Sequence, residues 1–339
     1  PRRSRGVPRL PRALALLERG GGVMHLPKPR GAFSEQVVAT LASGDPTGVG
    51  RAPEPETAED AALALWSLYE LSYRGFEEVD DRLEWAPELV AVRRALEEDL
   101  EARLRSRWSG TPSYEGDFAA AFFAEVEGHD GPSLARFVQR DATADQVMEL
   151  LQARSVYHLK ESDPVAFSVP RLPVAPRAAL MELQYDEYGG GRPDRLHAHL
   201  FAGGLAALGL DPHEGAYVDQ APLSVLEQNN AMSLFGLNRR LRGASVGHLA
   251  AFEATSSGPC RRMSQGLARL GLAEEMRAYY DEHVEADAVH EQLAVRLICA
   301  PLVAAEPETE GDVWFGGFTC LDLEDRVARH YLERWGVSA

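Results

Sequence analysis

Apolar residues recur at three- and four-residue steps through most of the chain, which is the spacing of one buried helix face. The clearest cases are Ala61–Ser72 and Trp85–Trp108, where the intervening positions carry Glu and Arg. Alternation of apolar and polar residues with period two is nearly absent, and there is no internal repeat or hairpin turn signal. The pattern predicts an all-α fold.

The hydrophobic pattern also suggests how the chain is divided. Residues 1–50 are rich in Pro and Gly and basic at the start, which predicts a flexible leader. Residues 51–110 form an amphipathic helical extension, with a soft boundary at Gly110–Ser113, and residues 111–339 form the main helical domain. The leader lacks an apolar stretch followed by a small-residue cleavage site, so we do not interpret it as a targeting peptide.

Within the main domain, breaker residues separate the predicted helices. Thr143 and Gln146 have the spacing of a capping box, and that helix runs toward Glu161 before Ser162-Asp163-Pro164 stops it. Further helices are predicted over 177–188, 223–237, 247–254, 281–297 and 321–335.

Composition narrows the functional classes. The chain has 339 residues, 45% of them hydrophobic, and a formal net charge of −17. This charge argues against nucleic acid or an anionic membrane as a partner. No run approaches about 18 consecutive apolar residues, so no membrane span is predicted. The three cysteines are odd in number and widely spaced, which fits a reducing cytoplasm without disulfides or a thiolate metal site.

The segment DEHVEADAVHEQLAVRL carries the most informative polar residues. His283, Asp287 and His290 lie within roughly 60° of one another on a helix, on its apolar face, which Ala294 and Leu297 are expected to continue. Buried ionisable groups need partners, and two imidazoles with a carboxylate are typical metal ligands. The alternative is that these are core residues hydrogen-bonded to neighbouring helices.

Three more inward residues extend this set. Glu161 and Glu187 each end an apolar stripe, and His197 begins one. Three carboxylates and three imidazoles in a helical bundle have the composition of a di-iron or di-manganese site. Glu187 and His197 are about 15 Å apart along an unbroken helix, so both reach one centre only if Gly189–Gly191 bends or breaks it. An ordinary surface loop explains the three glycines equally well.

Four segments resemble the haem-oxygenase-like di-iron oxidases and oxygenases, also called iron-containing redox enzymes. The resemblance covers roughly residues 115–339, with Glu161 as the carboxylate of the first core helix. The segments are DEYGGGRPDRLHAHLF, HVEADAVH, PRL and GHLAAFEATSS, beginning at Asp186, His283, Pro170 and Gly247.

This resemblance implies a haem-oxygenase-like helical bundle without haem and two Fe(II) ions, with manganese as an alternative at one position. One ion would take Glu187, His197 and His283, and the other Glu161, Asp287 and His290. With O2 as co-substrate, the enzyme would oxidise a small metabolite. The reaction would be N-oxygenation of an amine, or C–H or C–C oxidation of an amino-acid-like or fatty-acid-like substrate.

The sequence offers less about partners. An external electron donor is compatible with this chemistry, and residues 57–108 are a candidate layer for a homodimer. Arg171, Arg239, Arg240 and His248 lie near the family-like segments and are candidates to receive a substrate carboxylate, although arginines in such positions are more often in salt bridges. We interpret His158 as a surface residue.

Four alternatives to the di-iron enzyme are weighed against these residues. A cofactorless oxidase on the same fold, such as the oxidase of pyrroloquinoline-quinone synthesis, would not need three buried carboxylates. Haem oxygenase needs an axial His on the first core helix, where Glu161 holds the inward position. A non-catalytic helical binding protein, or a thiaminase-like module, would use the polar residues only structurally.

Overall fold

The computed structural model describes residues 24–337, apart from the side chains of residues 285–288. Every regular element in this part of the chain is helical, which confirms the predicted all-α fold. The α-helices are α1 (Ala32–Ser43), α2 (Ala58–Glu70), α3 (Pro87–Arg107), α4 (Phe118–Glu127), α5 (Leu134–Arg140), α6 (Ala144–His158), α7 (Asp163–Ala166), α8 (Val174–Glu187), α9 (His197–Ala207), α10 (Leu223–Leu237), α11 (Arg242–Leu270), α12 (Glu274–Gln292), α13 (Ala300–Ala305) and α14 (Glu310–Arg334). A π-helical segment, Leu293–Cys299, joins α12 to α13.

The N-terminal part of the chain corrects the prediction of a flexible leader through residue 50. Residues 24–50 are folded and include α1, in which Val37 and Leu41 are fully buried. The carboxylate of Asp60 in α2 accepts hydrogen bonds from the backbone N–H groups of Phe33 (3.2 Å) and Ser34 (2.7 Å), which satisfies the start of α1. Residues 1–23, the remainder of the predicted leader, lie outside the described residues.

The helical extension and the bundle share one hydrophobic core. Leu63 of α2 and Leu100 of α3 belong to the same buried cluster as Leu151 of α6 and Leu323 of α14. A second cluster lies between α4, α8, α11 and the π segment. Because their apolar faces pack into the first cluster, α2 and α3 contribute to the core of the bundle.

Four helices and one turn surround the functional site described below: α8, α9, α11, α12 and the turn after α6. Gly204 shows how closely α9 lies on α12, since a Cβ there would be 2.8 Å from the Cα of Met276. Any larger residue at position 204 would push the two helices apart.

The end of the long helix departs from its predicted pattern. We expected Ala294 and Leu297 to continue the inward stripe, but only Ala294 is buried and Leu297 is 51% exposed. The π segment adds residues to each turn, so positions after residue 292 are rotated relative to an α-helix.

One helical run in the described part, Glu274–Ala305, is long and apolar enough to span a membrane by length and composition alone. Core helices pass the same test, and Val295 and Ile298 of this run are fully buried in the protein.

Candidate metal centre

The break between α8 and α9 brings two predicted ligands together. Glu187 is the last residue of α8 and His197 is the first of α9. Between them Gly189, Gly190 and Gly191 all have positive φ, a conformation that side chains rarely adopt. A Cβ on Gly189 would also lie 2.6 Å from the carbonyl carbon of Arg195. The chain therefore reverses tightly here, which places Nδ1 of His197 3.1 Å from Oε2 of Glu187.

Four side chains from four parts of the chain form a first group. Glu161, Glu187, His197 and His283 each offer a ligand atom, and these atoms all lie within 4.8 Å of one another. Nε2 of His283 is 3.7 Å from Oε1 of Glu161. The other ring nitrogen of His283 donates to the backbone oxygen of Tyr279 at 2.8 Å, which fixes the tautomer and leaves Nε2 as a lone-pair donor.

A second group shares Glu187 with the first. It consists of Glu187, Glu253 and His290, again with ligand atoms within 4.8 Å of one another. Nδ1 of His290 lies 3.3 Å from Oε1 of Glu187 and 3.5 Å from Oε2 of Glu253. Nε2 of the same ring donates to Asp186 at 2.9 Å, so the ring is held with Nδ1 facing the two carboxylates. Glu187 thus presents one oxygen to each group.

Hydrogen bonds from neighbours orient the two central carboxylates. Oε2 of Glu161 accepts from His158 Nδ1 at 2.9 Å and from the Tyr279 hydroxyl at 3.1 Å. Oε2 of Glu187 accepts from the hydroxyl of Ser162 at 2.9 Å. These contacts fix both side chains and leave Oε1 of Glu161 directed at the group.

The charges in the centre are compensated only by imidazoles. Among the described residues, no Lys or Arg forms an ion pair with Glu161, Glu187 or Glu253. Burial disfavours the Glu161 carboxylate, but the imidazoles of His158 and His283 outweigh it and lower the pKa of Glu161 to about 2. Burial likewise lowers the pKa of His290, but the facing carboxylates of Glu187 and Glu253 outweigh it and raise this pKa to about 11.

The carboxylate oxygens and imidazole nitrogens of the two groups fit metal ions as ligands. Oε1 of Glu161, Nδ1 of His197 and Nδ1 of His290 are buried and make no hydrogen bond to any described residue. Buried polar atoms without partners are rare, and here they converge on each other. Carboxylate and imidazole together suit iron, manganese or zinc, and a shared carboxylate suits a pair of ions.

Five of the six predicted metal ligands lie at this centre. Glu161, Glu187, His197, His283 and His290 all reach the centre. Asp287 lies outside the described side chains.

The grouping differs from the one that the resemblance implied. Glu161, expected to share an ion with His290, lies instead with His197 and His283. His290 lies seven residues beyond His283, about 10 Å along α12, and meets Glu187 and Glu253 there.

Sequence reasoning missed Glu253. It sits in α11 among small and apolar residues, and Val246 and Ala250 precede it on the same buried face. A glutamate that continues an apolar stripe is the same signal that singled out Glu161 and Glu187. Applied to the segment GHLAAFEATSS, it would have found Glu253.

The interpretation of His158 as a surface residue is wrong. This side chain is 11% exposed and lies between Glu161 and Tyr279, because α6 ends at His158 and the following turn folds Glu161 back beside it. Burial lowers the pKa of His158, which keeps the imidazole neutral.

Two of the arginines considered for substrate binding make contacts between elements of the fold. Arg171 donates to the backbone oxygens of Gly236 and Leu237, and Arg240 forms an ion pair with Glu101.

Two comparisons with known proteins bear on the chemistry of this site. A nitrosourea synthase from Streptomyces achromogenes subsp. streptozoticus is 32% identical over 120 residues, which are 35% of this chain and 26% of that protein. The match therefore spans only about a quarter of the relative's length. Residues 148–325, slightly more than half of the chain, match the iron-containing redox enzymes, and they include every side chain of the two groups. The chain belongs to this family of iron-containing redox enzymes.

Proposed function

We propose that the protein is a non-haem di-iron oxidase or oxygenase that uses O2 to oxidise a small metabolite. The observation that carries the proposal is the pair of ligand groups that share Glu187. One ion would be held by Glu161, His197 and His283, and the other by Glu253 and His290, with Glu187 between them. Bound iron would supply one-electron redox steps and O2 activation.

In this proposal, the residues around the ligands hold the ligand side chains in position through hydrogen bonds. His158 and Tyr279 hold Glu161, Ser162 holds Glu187, and Asp186 holds His290. Such outer partners fix the orientation of ligands before the metal arrives. The ligand side chains of Glu187, His197, His283 and His290 are each at most 7% exposed, so bulk water is kept from the reacting centre.

The similarity to nitrosourea synthase, a protein named for a product with oxidised nitrogen, favours N-oxygenation of an amine. Oxidation of a C–H or C–C bond is the second candidate, because iron held by the same residues would suit O2 chemistry of either kind. An external electron donor would supply the reducing equivalents.

Anaerobic titration of the metal-free protein with Fe(II) tests this proposal. We expect binding of about two irons per chain, followed by O2 uptake when air is admitted. A protein that keeps its helical circular dichroism but binds no iron would contradict the proposal. That result would favour a cofactorless oxidase or a helical binding protein.

A further inference from the structure

The ligand side chains of the metal centre are almost closed off from solvent. Those of Glu161, Glu187, His197 and His283 are each at most 7% exposed. Such closure keeps bulk water out, but a centre that uses O2 must still admit it. The cavities beside the centre are therefore candidates for the path of O2.

A small inner cavity adjoins the centre, because the ligand Glu161 forms part of its wall. The volume of this cavity is about 20 Å³. A cavity needs about 10–15 Å³ to hold one water molecule, so this one has room for a single molecule of the size of water or O2. Most of the wall is apolar, formed by Pro164, Val165, Met232, Phe235, Leu249 and Phe252.

Apart from Glu161, the inner cavity is lined by neutral groups. Burial lowers the pKa of His248 to about 4, which keeps its imidazole uncharged. Nε2 of this ring is buried and makes no hydrogen bond to any described residue, so it can hydrogen-bond a molecule in the cavity. Among the described residues, no Lys or Arg lines this cavity, so an anionic group would find no counter-ion. A small uncharged molecule fits it best.

A larger outer cavity of about 250 Å³ lies between α5, α6, α11 and α14. Much of its wall is apolar, including Leu134, Leu150, Met263 and Leu321. Charged groups of the wall are paired within the protein, Arg154 with Glu324 and Asp325 with Arg329. The exposed His129 also lines the cavity, which places one side of it at the protein surface. The outer cavity therefore suits an uncharged molecule that enters from solvent.

Phe252 is the one described side chain that lines both cavities. Its ring stacks on that of Tyr157, with ring centres 5.1 Å apart and ring planes inclined at 29°. Because Tyr157 lines the inner cavity, the stacked pair forms the partition between the two cavities. A phenylalanine ring has no hydrogen bond to break, so it can turn into the open space of the outer cavity at the cost of packing contacts alone.

The helix that carries Phe252 has a weakened hydrogen-bond ladder at this point. The hydroxyls of Thr255 and Ser256 both donate to the backbone oxygen of Phe252. Pro259 has no N–H to donate to the backbone oxygen of Thr255, four residues before it. Side-chain bonds of this kind and internal prolines bend helices. Thr255, Ser256 and Pro259 all line the outer cavity, so the weakened ladder lies where the Phe252 ring would move.

We propose that O2 enters through the outer cavity and docks in the inner cavity beside Glu161, and that Phe252 is the gate between the two. The use of O2 rests on the proposed function. The cavities and the gate require no metal, so the two proposals can fail separately.

Krypton, an uncharged atom close in size to O2, tests the path without turnover. Crystals of the metal-free protein are held under krypton pressure, and the atoms are located by anomalous diffraction. We expect krypton in both cavities, because both are lined mainly by apolar side chains. An inner cavity that excludes krypton and holds an ordered water molecule on His248 would overturn the proposal.

Substitutions at the gate test its role in the iron-loaded protein. Phe252→Trp enlarges the partition, so krypton should remain in the outer cavity and be lost from the inner one. The second-order rate constant for oxidation of bound Fe(II) by O2 should fall at least about fivefold, with two irons still bound. Phe252→Leu, which keeps an apolar but smaller side chain, should react at least as fast as the unaltered protein.

A second block acts at a distance from the ligands. Ala328 of α14 is buried and lines the outer cavity, so Ala328→Phe should exclude krypton from it and slow the reaction with O2 at least about fivefold. The control is Ala124→Phe, the same substitution at an exposed position of α4, which should change neither. Unchanged rate constants in both Phe252→Trp and Ala328→Phe would overturn the proposal. Krypton in both cavities of a protein that binds no iron would contradict the proposed function alone.

Discussion

Two adjacent residues of this protein lead to buried charge clusters of opposite character. Lys160 pairs with Glu70, and its ammonium lies 4.6 Å from the ring centre of Tyr73. Glu161, the next residue, belongs to the candidate metal centre. Both carboxylates are buried: Glu70 is 1% exposed and the Glu161 side chain 7%. Burial alone therefore does not distinguish a structural cluster from a metal site.

The difference lies in how each charge is compensated. In the Glu70–Lys160 pair, one negative group meets one positive group from the same protein. In the candidate metal centre, Glu161, Glu187 and Glu253 meet imidazole nitrogens, and the Nδ1 atoms of His197 and His290 make no hydrogen bond to any described residue. Among the described residues no Lys or Arg compensates these three buried carboxylates, which indicates that a cation from outside completes the cluster.

The largest expected effect follows from Glu187→Gln, because Glu187 belongs to both groups. The amide cannot bridge two cations as a carboxylate does, so we expect loss of both irons and at least a 100-fold fall in O2 uptake. Iron is measured by metal analysis after anaerobic loading.

The matched control combines Glu70→Met with Lys160→Met, which removes the other buried charge pair and leaves neither charge unpaired. It should keep both irons. Full iron in Glu187→Gln, or loss of iron in this double variant, would break the distinction between the two clusters.

The second effect concerns the structural pair. Lys160→Met leaves Glu70 buried and unpaired, which should lower the free energy of unfolding by about 3–5 kcal/mol. Combining it with Glu70→Met should restore most of that loss, because no charge is left buried. Urea unfolding of the single and the double variant measures both free energies. A double variant as unstable as the single one would contradict our interpretation of the pair.

A smaller effect is expected at His158, which contacts Glu161 but is not placed as a ligand. His158→Phe removes a hydrogen bond that orients the carboxylate, so iron affinity should fall about 10- to 100-fold while binding still saturates. The exposed His129 provides a control, since it interacts with Asp325 far along the chain from the ligands. Unchanged iron affinity in His158→Phe would show that the hydrogen bond from His158 is not needed to orient Glu161.

The smallest expected effect is a pH dependence of the free energy of unfolding, caused by Glu214 near the Glu70–Lys160 pair. Burial, followed by the charge of Glu70, raises the pKa of Glu214 to about 7. The folded state then binds more protons than the unfolded state between about pH 4.5 and 7, so the free energy of unfolding falls as the pH rises through this window.

Glu214→Gln should remove this contribution, on the order of 1–2 kcal/mol between pH 5 and 8 after allowance for partial exposure. Urea unfolding of the metal-free protein at both pH values measures it. A pH dependence identical to that of the unaltered protein would show that Glu214 titrates normally.

Local signals in the sequence predicted much of the fold. The capping box of Thr143 and Gln146 is present, and the predicted helix 223–237 coincides with α10. The signals failed where geometry is not local. Leu297 is exposed because of the π segment, and α1 forms in the expected leader because Asp60, 27 residues after Phe33, completes its N-terminus.

The candidate site, like the fold, was predictable only where the sequence signals are local. Inward stripes identified Glu161, Glu187 and His197, and the three glycines explained how the latter two meet. Which side chains share an ion depends on how α11 and α12 pack against α8, and helical periodicity contains no information about that. For this reason the grouping and the place of His158 emerged only from the structure, whereas Glu253 continues an apolar stripe that the sequence already contains.

The most direct test of a two-ion centre built on Glu187 is a crystal structure of the anaerobically iron-loaded protein, with anomalous diffraction recorded at the iron edge. Our account predicts two anomalous peaks, one among Glu161, His197 and His283 and one between Glu253 and His290, with Glu187 contacting both. A single peak that leaves Glu253 and His290 unoccupied, or iron bound elsewhere, would contradict it.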